Sequence, residues 1–474
     1  MENQAILLLI VLVPILGAFA LPLISCLSVR LRNLCALSFV LISFILTIAL
    51  VPVVYSGQTI TAHILYNATF YADGLAVFMA LVSASISAVI VFYSLGYISH
   101  YENQNEYYLM VVLFFGAMMG LVFSSNLIFL YLFWEITAIT SWRLIGFFRE
   151  KQHVLRADKA FLVTMFGSVL MLLGFVSIYQ QTGSFDLGAL KNSHLSNLVV
   201  ILILTGILSK SATLPLHTWL PDAGVAPSPV TALLHAALLV KIGVYVFARL
   251  FIATGFVTED FWHTAVPVIA GASALVAAGA AMTATDLKRI IAYSTVSQIG
   301  FIFMGLAIGN AIGVAGAMLY ILMHGMAKGG LFLCAGIVEQ NTKTKDITRL
   351  GGLIKTMPIT AVSFLLCSFS VMGIPPFGGF FSKYMVMTSA TQSGKVWIAF
   401  IFLAGAIMTI VYLLRVFNLV FMGQAKTQPV KEGSSTMLIS VALLAALSLA
   451  GGIFIYYPSQ FLQLTILQLP GIIK

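Results

Sequence analysis

Stretches of about twenty apolar residues follow one another along nearly the whole chain, and they constrain its fold more than any other feature. A helix of about twenty residues crosses the hydrocarbon core of a bilayer and satisfies its own backbone hydrogen bonds there. Only 8% of the residues are charged and 60% are hydrophobic, whereas a soluble domain has about 25% charged residues. The alternating pattern of a membrane β-barrel is absent from the sequence. We therefore predict an all-α polytopic membrane protein with about fourteen transmembrane helices, near residues 4–25, 34–54, 75–98, 108–124, 126–148, 157–180, 195–213, 230–253, 264–284, 290–308, 313–338, 357–378, 396–422 and 436–457.

Basic residues concentrate on one side of this arrangement. Cytoplasmic loops of membrane proteins carry an excess of Lys and Arg. With both termini outside, fourteen of the 24 Lys and Arg fall in inside loops or adjoining helix ends, and four fall outside. The net charge of +9 thus indicates topology rather than a nucleic-acid partner. The inside residues are Arg30, Arg32, Arg149, Lys151, Arg156, Lys159, Lys288, Arg289, Lys343, Lys345, Arg349, Lys355, Lys426 and Lys431, and the outside residues are Lys191, Arg249, Lys395 and Lys474.

Several classes of site are excluded by what the sequence lacks. Cys26, Cys35, Cys334 and Cys367 form no CxxC pair, so neither an iron–sulfur cluster nor a zinc site is indicated. No GxGxxG segment begins a nucleotide-binding unit. We expect no cofactor and no metal in this chain. The apolar stretch 4–25 is too long for a signal peptide and has no basic segment before it, so we expect it to be the first span.

Residues 205–249 combine two features that are costly inside a membrane. The segment places Lys210, His217, His235 and Lys241 in apolar helix, and a charge at the centre of a span costs about 2.5–3.5 kcal/mol on insertion scales. Four prolines within 215–229 interrupt the helix, and non-helical backbone is tolerated at membrane depth only where protein buries it or water lines it. These costs indicate an ion path. The alternative is that the lysines reach the membrane surface from helix ends, but Lys210 and Lys241 lie inside long apolar runs.

A second interrupted span occurs five helices later. The twelfth span is broken at GIPPFGGFF, residues 373–381, and carries Lys383 just beyond the break. Interrupted helices at matching positions of two halves are typical of inverted repeats. We therefore predict one transmembrane domain, 1–474, that contains a first inverted repeat at 108–253 and a second at 264–422.

Further ionisable groups lie in the predicted spans. Glu135 is the one acid placed deep in a span, and a lysine beside it would keep it ionised. A buried lysine can release its proton, whereas arginine cannot, so lysines suit a relay. Lys328 has His324 four residues before it and Tyr320 a further turn back.

Four groups have open roles at this stage. Arg143 is either a partner of Glu135 or an anchor at the membrane surface, and His217 is either part of the path or a helix–helix hydrogen bond. Ser297 either hosts water along the path or caps and anchors its helix, and Tyr320 is an accessory candidate.

Five motifs in one register resemble the antiporter-like membrane subunit family. They are KSATLPLHTWLPDA (210–223), APSPVTALLHAALLVKIGVYVFAR (226–249), DLKRIIAYSTVSQIGF (286–301), MHGMAKGGLFL (323–333) and GIPPFGGFFSK (373–383). This family is shared by respiratory complex I, the Mrp cation/proton antiporters and the energy-converting (group 4) hydrogenases and formate hydrogenlyases. The likeness covers about residues 70–420. It implies fourteen core helices, two inverted five-helix repeats and broken seventh and twelfth helices.

The resemblance also implies roles for individual residues. Glu135 matches the glutamate of the fifth helix, and Lys210 matches the seventh-helix lysine that pairs with it. His235 and Lys241 match groups of the eighth helix, and Lys383 matches the lysine or glutamate of the twelfth. Lys328, with His324 a turn before it, matches the central lysine of the eleventh helix. Proton translocation is thus implied for Glu135, Lys210, His235, Lys241, His324, Lys328 and Lys383.

Some features depart from the family pattern. Tyr320 stands where some members have histidine, and Arg143 stands where an uncharged residue is expected. The chain ends soon after the fourteenth span, which favours a short subunit of a hydrogenase-like or related complex, or a separately encoded Mrp-like piece. Lys383 instead places it nearer the distal complex I subunit and the large Mrp subunit.

The resulting expectation is a proton-translocating subunit of a multisubunit, redox-driven membrane complex, hydrogenase-like or complex I-like. It contains no redox site of its own, so an oxidoreductase activity would belong to the assembly. The alternatives are a subunit of an Mrp-type Na+/H+ antiporter, a proton path in an inorganic carbon uptake complex, and a structural spacer. Expected partners are other membrane subunits, iron–sulfur or hydrogenase-like subunits on the cytoplasmic side, protons and, in the antiporter case, Na+. The expected location is the inner (cytoplasmic) membrane of a prokaryote.

Overall fold

The computed structural model describes residues 2–65, 68–191, 193–256, 261–426, 431–470 and 472, and helices account for most of them. Within these ranges, twelve helices are long and apolar enough to cross a membrane. Two shorter apolar helices lie where the seventh and twelfth spans are predicted. The multi-pass helical fold is thus confirmed, while the number fourteen stays a prediction. Lys474 and residues 427–430 of the predicted inside loop 423–435 lie outside the described residues.

The helices follow one another in the order predicted from the apolar stretches. The first ten are α1 (Glu2–Leu27), α2 (Val29–Tyr55), α3 (Gly74–Tyr97), α4 (Gln104–Phe123), α5 (Leu127–Ile145), α6 (Lys151–Thr182), α7 (Asn197–Lys210), α8 (Trp219–Asp222), α9 (Ser228–Ala232) and α10 (Leu239–Phe247). The others are α11 (Trp262–Thr283), α12 (Leu287–Ile308), α13 (Ala311–Thr342), α14 (Pro358–Met372), α15 (Gly378–Gln392), α16 (Val396–Val420), α17 (Ser435–Ile453) and α18 (Tyr456–Leu467).

A small β-hairpin between α2 and α3 was not predicted from the sequence. Strands β1 (Ile60–Leu65) and β2 (Ala68–Ala72) pair antiparallel, with an irregularity between His63 and Leu65. The hairpin ends at Asp73, whose carboxylate accepts a hydrogen bond from Ala76 N at 2.9 Å and so caps α3.

The first interruption follows Lys210. There α7 ends, Ala212 has φ +51°, and the Leu214–Pro215 peptide is cis. The short α8 and a 3-10 turn at Ala223–Val225 then lead to α9. The prolines of this segment cannot donate backbone hydrogen bonds, which is why the helix cannot continue through it.

The second interruption separates α14 from α15. Gly373 caps α14 with φ +82°, a conformation that side chains other than glycine rarely adopt. The Pro375–Pro376 peptide is cis. A Cβ atom on Gly379 would lie 1.8 Å from the carbonyl oxygen of Ser370. The two half-helices therefore approach so closely that only glycine fits at that position.

The span Ser228–Ile252 lies at the centre of the molecule, where it is wholly buried. It consists of α9, a π-helical segment Leu233–Ala237, α10 and a second π-helical segment Ala248–Ile252. A π segment changes the direction of the following side chains and is frequent at functional sites. Helices α12 and α13 are also almost fully buried, whereas α1, α2, α6 and α16 expose apolar side chains such as Leu16, Phe19, Leu23, Ile45, Leu162, Phe166 and Phe400.

Two junctions in separate parts of the chain have the same hydrogen-bond pattern. The start of α5 pairs with the segment after α6, and the start of α12 pairs with the segment after α13, each through an isolated antiparallel bridge. In the first junction Leu127 N donates to Phe185 O and Leu187 N to Ser125 O, at 2.9 and 2.8 Å. In the second, Leu287 N donates to Lys345 O and Ile347 N to Thr285 O, at 2.8 and 2.9 Å.

Candidate ion path

Four lysines from four separate helices are buried inside the molecule. Lys210 of α7, Lys241 of α10 and Lys328 of α13 have no exposed surface, and Lys383 of α15 is 6% exposed. Each ammonium donates to a backbone carbonyl: Lys210 to Trp134 O at 3.1 Å, Lys241 to Ile321 O at 3.2 Å, Lys328 to Ile291 O at 3.2 Å and Lys383 to Val371 O at 2.6 Å. We call these four residues and His235 and His324 the lysine row.

The surroundings of these lysines allow them to lose a proton. An ammonium has three donors, but the described residues offer each one only one or two hydrogen-bond acceptors. None of the four forms an ion pair with a described carboxylate within 4.0 Å. A charge so incompletely solvated in an apolar interior gains little over the neutral amine. Protons can therefore be exchanged here.

Glu135 and Lys210 are neighbours without being in contact. The ammonium of Lys210 bonds to the carbonyl oxygen of Trp134, the residue before Glu135, and lies 5.2 Å from the centre of the Trp134 ring. Glu135 is close enough to act on Lys210 electrostatically, and one of its carboxylate oxygens is buried without a hydrogen-bond partner among the described residues. It also interacts with Tyr131, one turn earlier on α5. A small side-chain movement would complete the predicted pair.

The two histidines of the row pair across helices rather than along them. The sequence places His235 with Lys241 and His324 with Lys328, because these are neighbours in the chain. In the structure Lys241 Nζ lies 2.8 Å from His324 Nδ1. His235, in the π segment, packs against Phe332 with a tilted ring and 4.4 Å between ring centres, and it is close enough to Lys328 to interact electrostatically with it. The π segment turns His235 toward α13, which helical spacing alone does not reveal.

Hydrogen-bonding capacity remains free on both histidines. His235 is fully buried, and neither ring nitrogen has a hydrogen-bond partner among the described residues. The Nε2 of His324 also lacks one. Buried polar groups are almost always satisfied by protein or by water. These nitrogens are therefore positions to which water or a proton can bind.

A polar network continues from Lys383. Its ammonium lies 5.5 Å from the centre of the Tyr320 ring, and the Tyr320 hydroxyl donates to the side-chain carbonyl of Gln298. Gln298 in turn donates to Thr409 at 3.2 Å. Tyr412, one turn further on α16, is 2.6 Å from Ser294. Ser297 is buried on the same helix as Gln298, and its hydroxyl has no partner among the described residues.

Sequence reasoning missed Thr409 and Tyr412 of this network. Both are polar residues in the apolar helix α16, three positions apart and hence on one face. The spacing of these two polar residues could have indicated a polar contact of α16, although it does not identify the helix that they contact.

Arg143 and His217 lie away from the row. The Arg143 guanidinium bonds to Glu106, which also pairs with Arg149 at 2.6 Å, at the ends of α4 and α5. Arg143 therefore takes the position of an anchor, not of a partner to Glu135. His217 lies in the interrupted segment after α7, partly exposed, and its Nδ1 has no hydrogen-bond partner among the described residues.

Two further buried ion pairs were not predicted, one near each end of the span Ser228–Ile252. Arg249, placed by the sequence at an outside helix end, is only 4% exposed and binds both carboxylate oxygens of Asp73, at 2.6 and 2.7 Å. Burial raises the pKa of Asp73, but the facing Arg249 outweighs it and holds this pKa below its ordinary value. At the other end, Lys288 Nζ lies 2.6 Å from Glu339 Oε2.

Comparison with known proteins assigns the chain to a family. Residues 124–409 match the family described as "NADH:quinone oxidoreductase/Mrp antiporter, TM", and residues 60–108 match "NADH-Ubiquinone oxidoreductase (complex I), chain 5 N-terminus". The chain belongs to the first of these families. The resemblance found in the sequence motifs is thereby confirmed.

Individual relatives share this membrane region. The chain is 34% identical to a Na(+)/H(+) antiporter subunit A1 of Staphylococcus aureus, over 94% of its own length and 60% of that protein. It thus spans about 60% of the length of the curated relatives that it matches. Solved structures with the same fold include the Mrp complex from Dietzia sp. DQ12-45-1b, with TM-score 0.91 and 22% identity over 99% of this chain and 98% of that one. The membrane-bound sulfane sulfur reductase, an archaeal respiratory membrane complex, has TM-score 0.89 and 22% identity over 98% of both chains.

Proposed function

We propose that this chain is a proton-translocating, antiporter-like subunit of a multisubunit membrane complex. The observation that carries the proposal is the lysine row, in which four fully or almost fully buried ammonium groups have carbonyl oxygens and one histidine as partners. A helical spacer would gain nothing from such groups, because each costs free energy to bury.

The proposed sequence of events begins at Glu135. A charge change in a neighbouring subunit moves the Glu135 carboxylate toward or away from Lys210, which then gains or loses its preference for a bound proton. The proton passes to the Lys241–His324 pair and to Lys328 beside His235. Lys383 and the Tyr320–Gln298 hydrogen bond connect this middle group to the far side. Moving one charge across 100 mV costs about 2.3 kcal/mol, which is within the range of a single close charge interaction at the effective dielectric of a protein.

Two energy sources are consistent with the fold. A redox-driven complex, hydrogenase-like or complex I-like, would have iron–sulfur subunits as partners, and the likeness to an archaeal respiratory complex supports it. A Na+/H+ antiporter would have other membrane subunits as partners, and the relatives named as antiporter subunits support it. The third alternative is a proton path in a carbon uptake complex. The lysine row is compatible with it, but no other observation favours it.

We also propose that the chain lies in the inner (cytoplasmic) membrane of a prokaryote with both termini outside, and the positive-inside bias of its loops supports this orientation. Within it, 108–253 and 264–422 are proposed as two inverted repeats. Supporting this are the two junctions with the same pattern of backbone hydrogen bonds and the interruption that follows the fourth helix in each repeat.

The direct test replaces Lys210 in the whole complex and measures proton movement in inverted membrane vesicles with a pH-sensitive dye. Lys210→Ala removes the proton carrier, and Lys210→Arg keeps the charge but cannot release the proton. We expect both to lower the initial rate more than tenfold while the amount of assembled complex is unchanged. Glu135→Ala should do the same. The control is Lys151→Ala, because Lys151 is an exposed lysine at the start of α6.

The same vesicles distinguish the energy sources. Proton movement started by an electron donor, with iron in the purified complex, supports the redox-driven form, and nickel would narrow it to a hydrogenase. Proton movement started by a Na+ pulse, with metal-free membrane partners, supports the antiporter. Normal rates in both Lys210 variants would overturn the proposed translocation role itself.

A further inference from the structure

The Lys288–Glu339 ion pair lies apart from the lysine row, near the first residue of the span Ser228–Ile252. Lys288 is only 2% exposed, and besides Glu339 its ammonium donates to Ala226 O at 2.9 Å. Glu339 has 29% of its side chain exposed, and Ser228 Oγ donates to it at 3.5 Å. The carboxylate thus faces solvent while the ammonium is buried behind it. Burying the Lys288 ammonium is expensive, and an ion pair of this kind is weak evidence for stability alone.

A cavity of about 240 Å³ opens directly onto this pair. That is room for several water molecules. The ionisable groups that line it come from three separate segments of the chain and are Tyr97, Tyr101, Lys288, Glu339 and Lys343. By the positive-inside rule this mouth is on the cytoplasmic side. Water in the cavity can therefore deliver protons to Glu339.

A continuous line of close contacts leads from this mouth to the row. Ser228 and His235 are seven residues apart on the span, and both lie against α13. A Cβ atom on Gly336 of α13 would lie 2.5 Å from Ser228 Cβ and 2.8 Å from the Tyr93 hydroxyl. One turn before Gly336 is Phe332, against which His235 packs. The line ends at two imidazole nitrogens, fully buried and without partners among the described residues.

The ion pair at the opposite end of the span Ser228–Ile252 contains an arginine instead of a lysine. There Arg249 holds Asp73 through two hydrogen bonds, and its Nε also donates to Tyr245 at 3.0 Å. Arginine does not release its proton in proteins, whereas a buried lysine can. The Arg249 end is therefore fixed in one charge state, while the Lys288 end can change its charge.

We propose that Glu339 and Lys288 form the proton entrance of the row, with Glu339 as the group that takes the proton from water. One proton from the cavity water forms an O–H bond on Glu339, which weakens the hold on Lys288. The same proton then leaves Glu339 along the line past Ser228, carried by water, and forms an N–H bond on His235. Glu339 returns to the carboxylate and the pair closes again. This inference rests on the proposed translocation function.

The test uses inverted vesicles that contain the whole complex, and formate as a small proton carrier. Glu339→Gln keeps the shape of the side chain but cannot take up a proton, so we expect the initial rate at neutral pH to fall about a hundredfold, at the low end of what a positioned proton-transfer group contributes. Glu339→Ala should fall similarly and recover several-fold when formate occupies the space left by the carboxylate. The rates of both variants should also rise as the pH is lowered, because a higher proton concentration compensates for a poor entrance.

Control variants distinguish a defect at the proton entrance from a defect in the lysine row and from structural damage. Lys210→Ala should not respond to formate, because its missing group is not in the cavity. Arg349→Gln removes a largely exposed ion-pair partner of Asp346 after the same helix and should keep the full rate. If Lys210→Ala abolishes translocation while both Glu339 variants keep it, only the entrance is refuted. A loss that neither formate nor acid relieves, or a failure of both Glu339 variants to assemble, would assign a structural role to the pair and overturn the proposal.

Discussion

At the scale of residues, the lysine row depends on the difference between an amine and a guanidinium. The four lysines have weak hydrogen-bond partners in an apolar interior, so either protonation state can be populated. Arg249, by contrast, is matched by the full carboxylate of Asp73 and stays charged. The same interior thus contains lysines that can lose a proton and an arginine, Arg249, that is held in one charge state.

A prediction at this scale concerns the Asp73–Arg249 pair. Asp73→Asn leaves the buried guanidinium without its counter-charge, and breaking a buried pair in this way typically costs about 3–5 kcal/mol. We expect a clearly lower midpoint of thermal unfolding for the detergent-purified complex. The matched comparison is Arg349→Gln, at a pair whose arginine side chain is 78% exposed, which should leave the midpoint unchanged.

The pH dependence of that effect has a definite sign. The pKa of Asp73 is lower in the folded protein than in the unfolded chain, where it is about 3.9. Its stabilising contribution is therefore fully present above about pH 4 to 5 and is lost as the pH falls through the lowered value. Wild type and Asp73→Asn should differ equally at pH 7 and pH 6. A difference that shrinks between those two pH values would contradict the assignment.

At the scale of elements, the interrupted helices place the lysines. Lys210 is the last residue of α7, so the break lies directly beside it. Lys383 is five residues into α15, and its ammonium reaches back to Val371 O in the other half-helix at 2.6 Å. Val371 is near the end of α14, so the second interruption supplies the partner of Lys383. The acceptors of the other three lysines lie within intact helices, α5, α13 and α12.

A prediction follows for the second break. Gly379→Ala would place a methyl group against the Ser370 carbonyl and force α14 and α15 apart, and with them Lys383, one turn further along. We expect less assembled complex and a loss of proton movement in what remains. Gly188→Ala is the matched control, because no atom lies within 4 Å of its added Cβ. Wild-type amounts and rates for Gly379→Ala would show that the half-helices are not held at this distance.

At the scale of the whole molecule, the two matching junctions bear on the inverted repeats. If 108–253 and 264–422 are inverted, the segment after α6 and the segment after α13 face opposite sides of the membrane. In a background where the exposed Cys26 is replaced by serine, we expect Gln181→Cys to react with an impermeant maleimide from outside only. Arg349→Cys should react from inside only. Labelling of both from one side would rule out the inversion.

The sequence by itself determined the membrane fold, the two interruptions and the residues of the row. Each of these follows from a local cost, because charge and proline are expensive in apolar helix wherever the rest of the chain lies. The five motifs added the family, which the match over 124–409 confirmed.

Only the tertiary structure decided which groups meet. Lys241 and His324 are 83 residues apart in the chain, and Asp73 and Arg249 are 176 apart. The π segment at Leu233–Ala237 turns His235 toward α13, and the closeness of α9 and α13 at Gly336 creates the line from Glu339. Contacts of this kind depend on how helices pack and rotate against one another, and no local preference of the sequence records that.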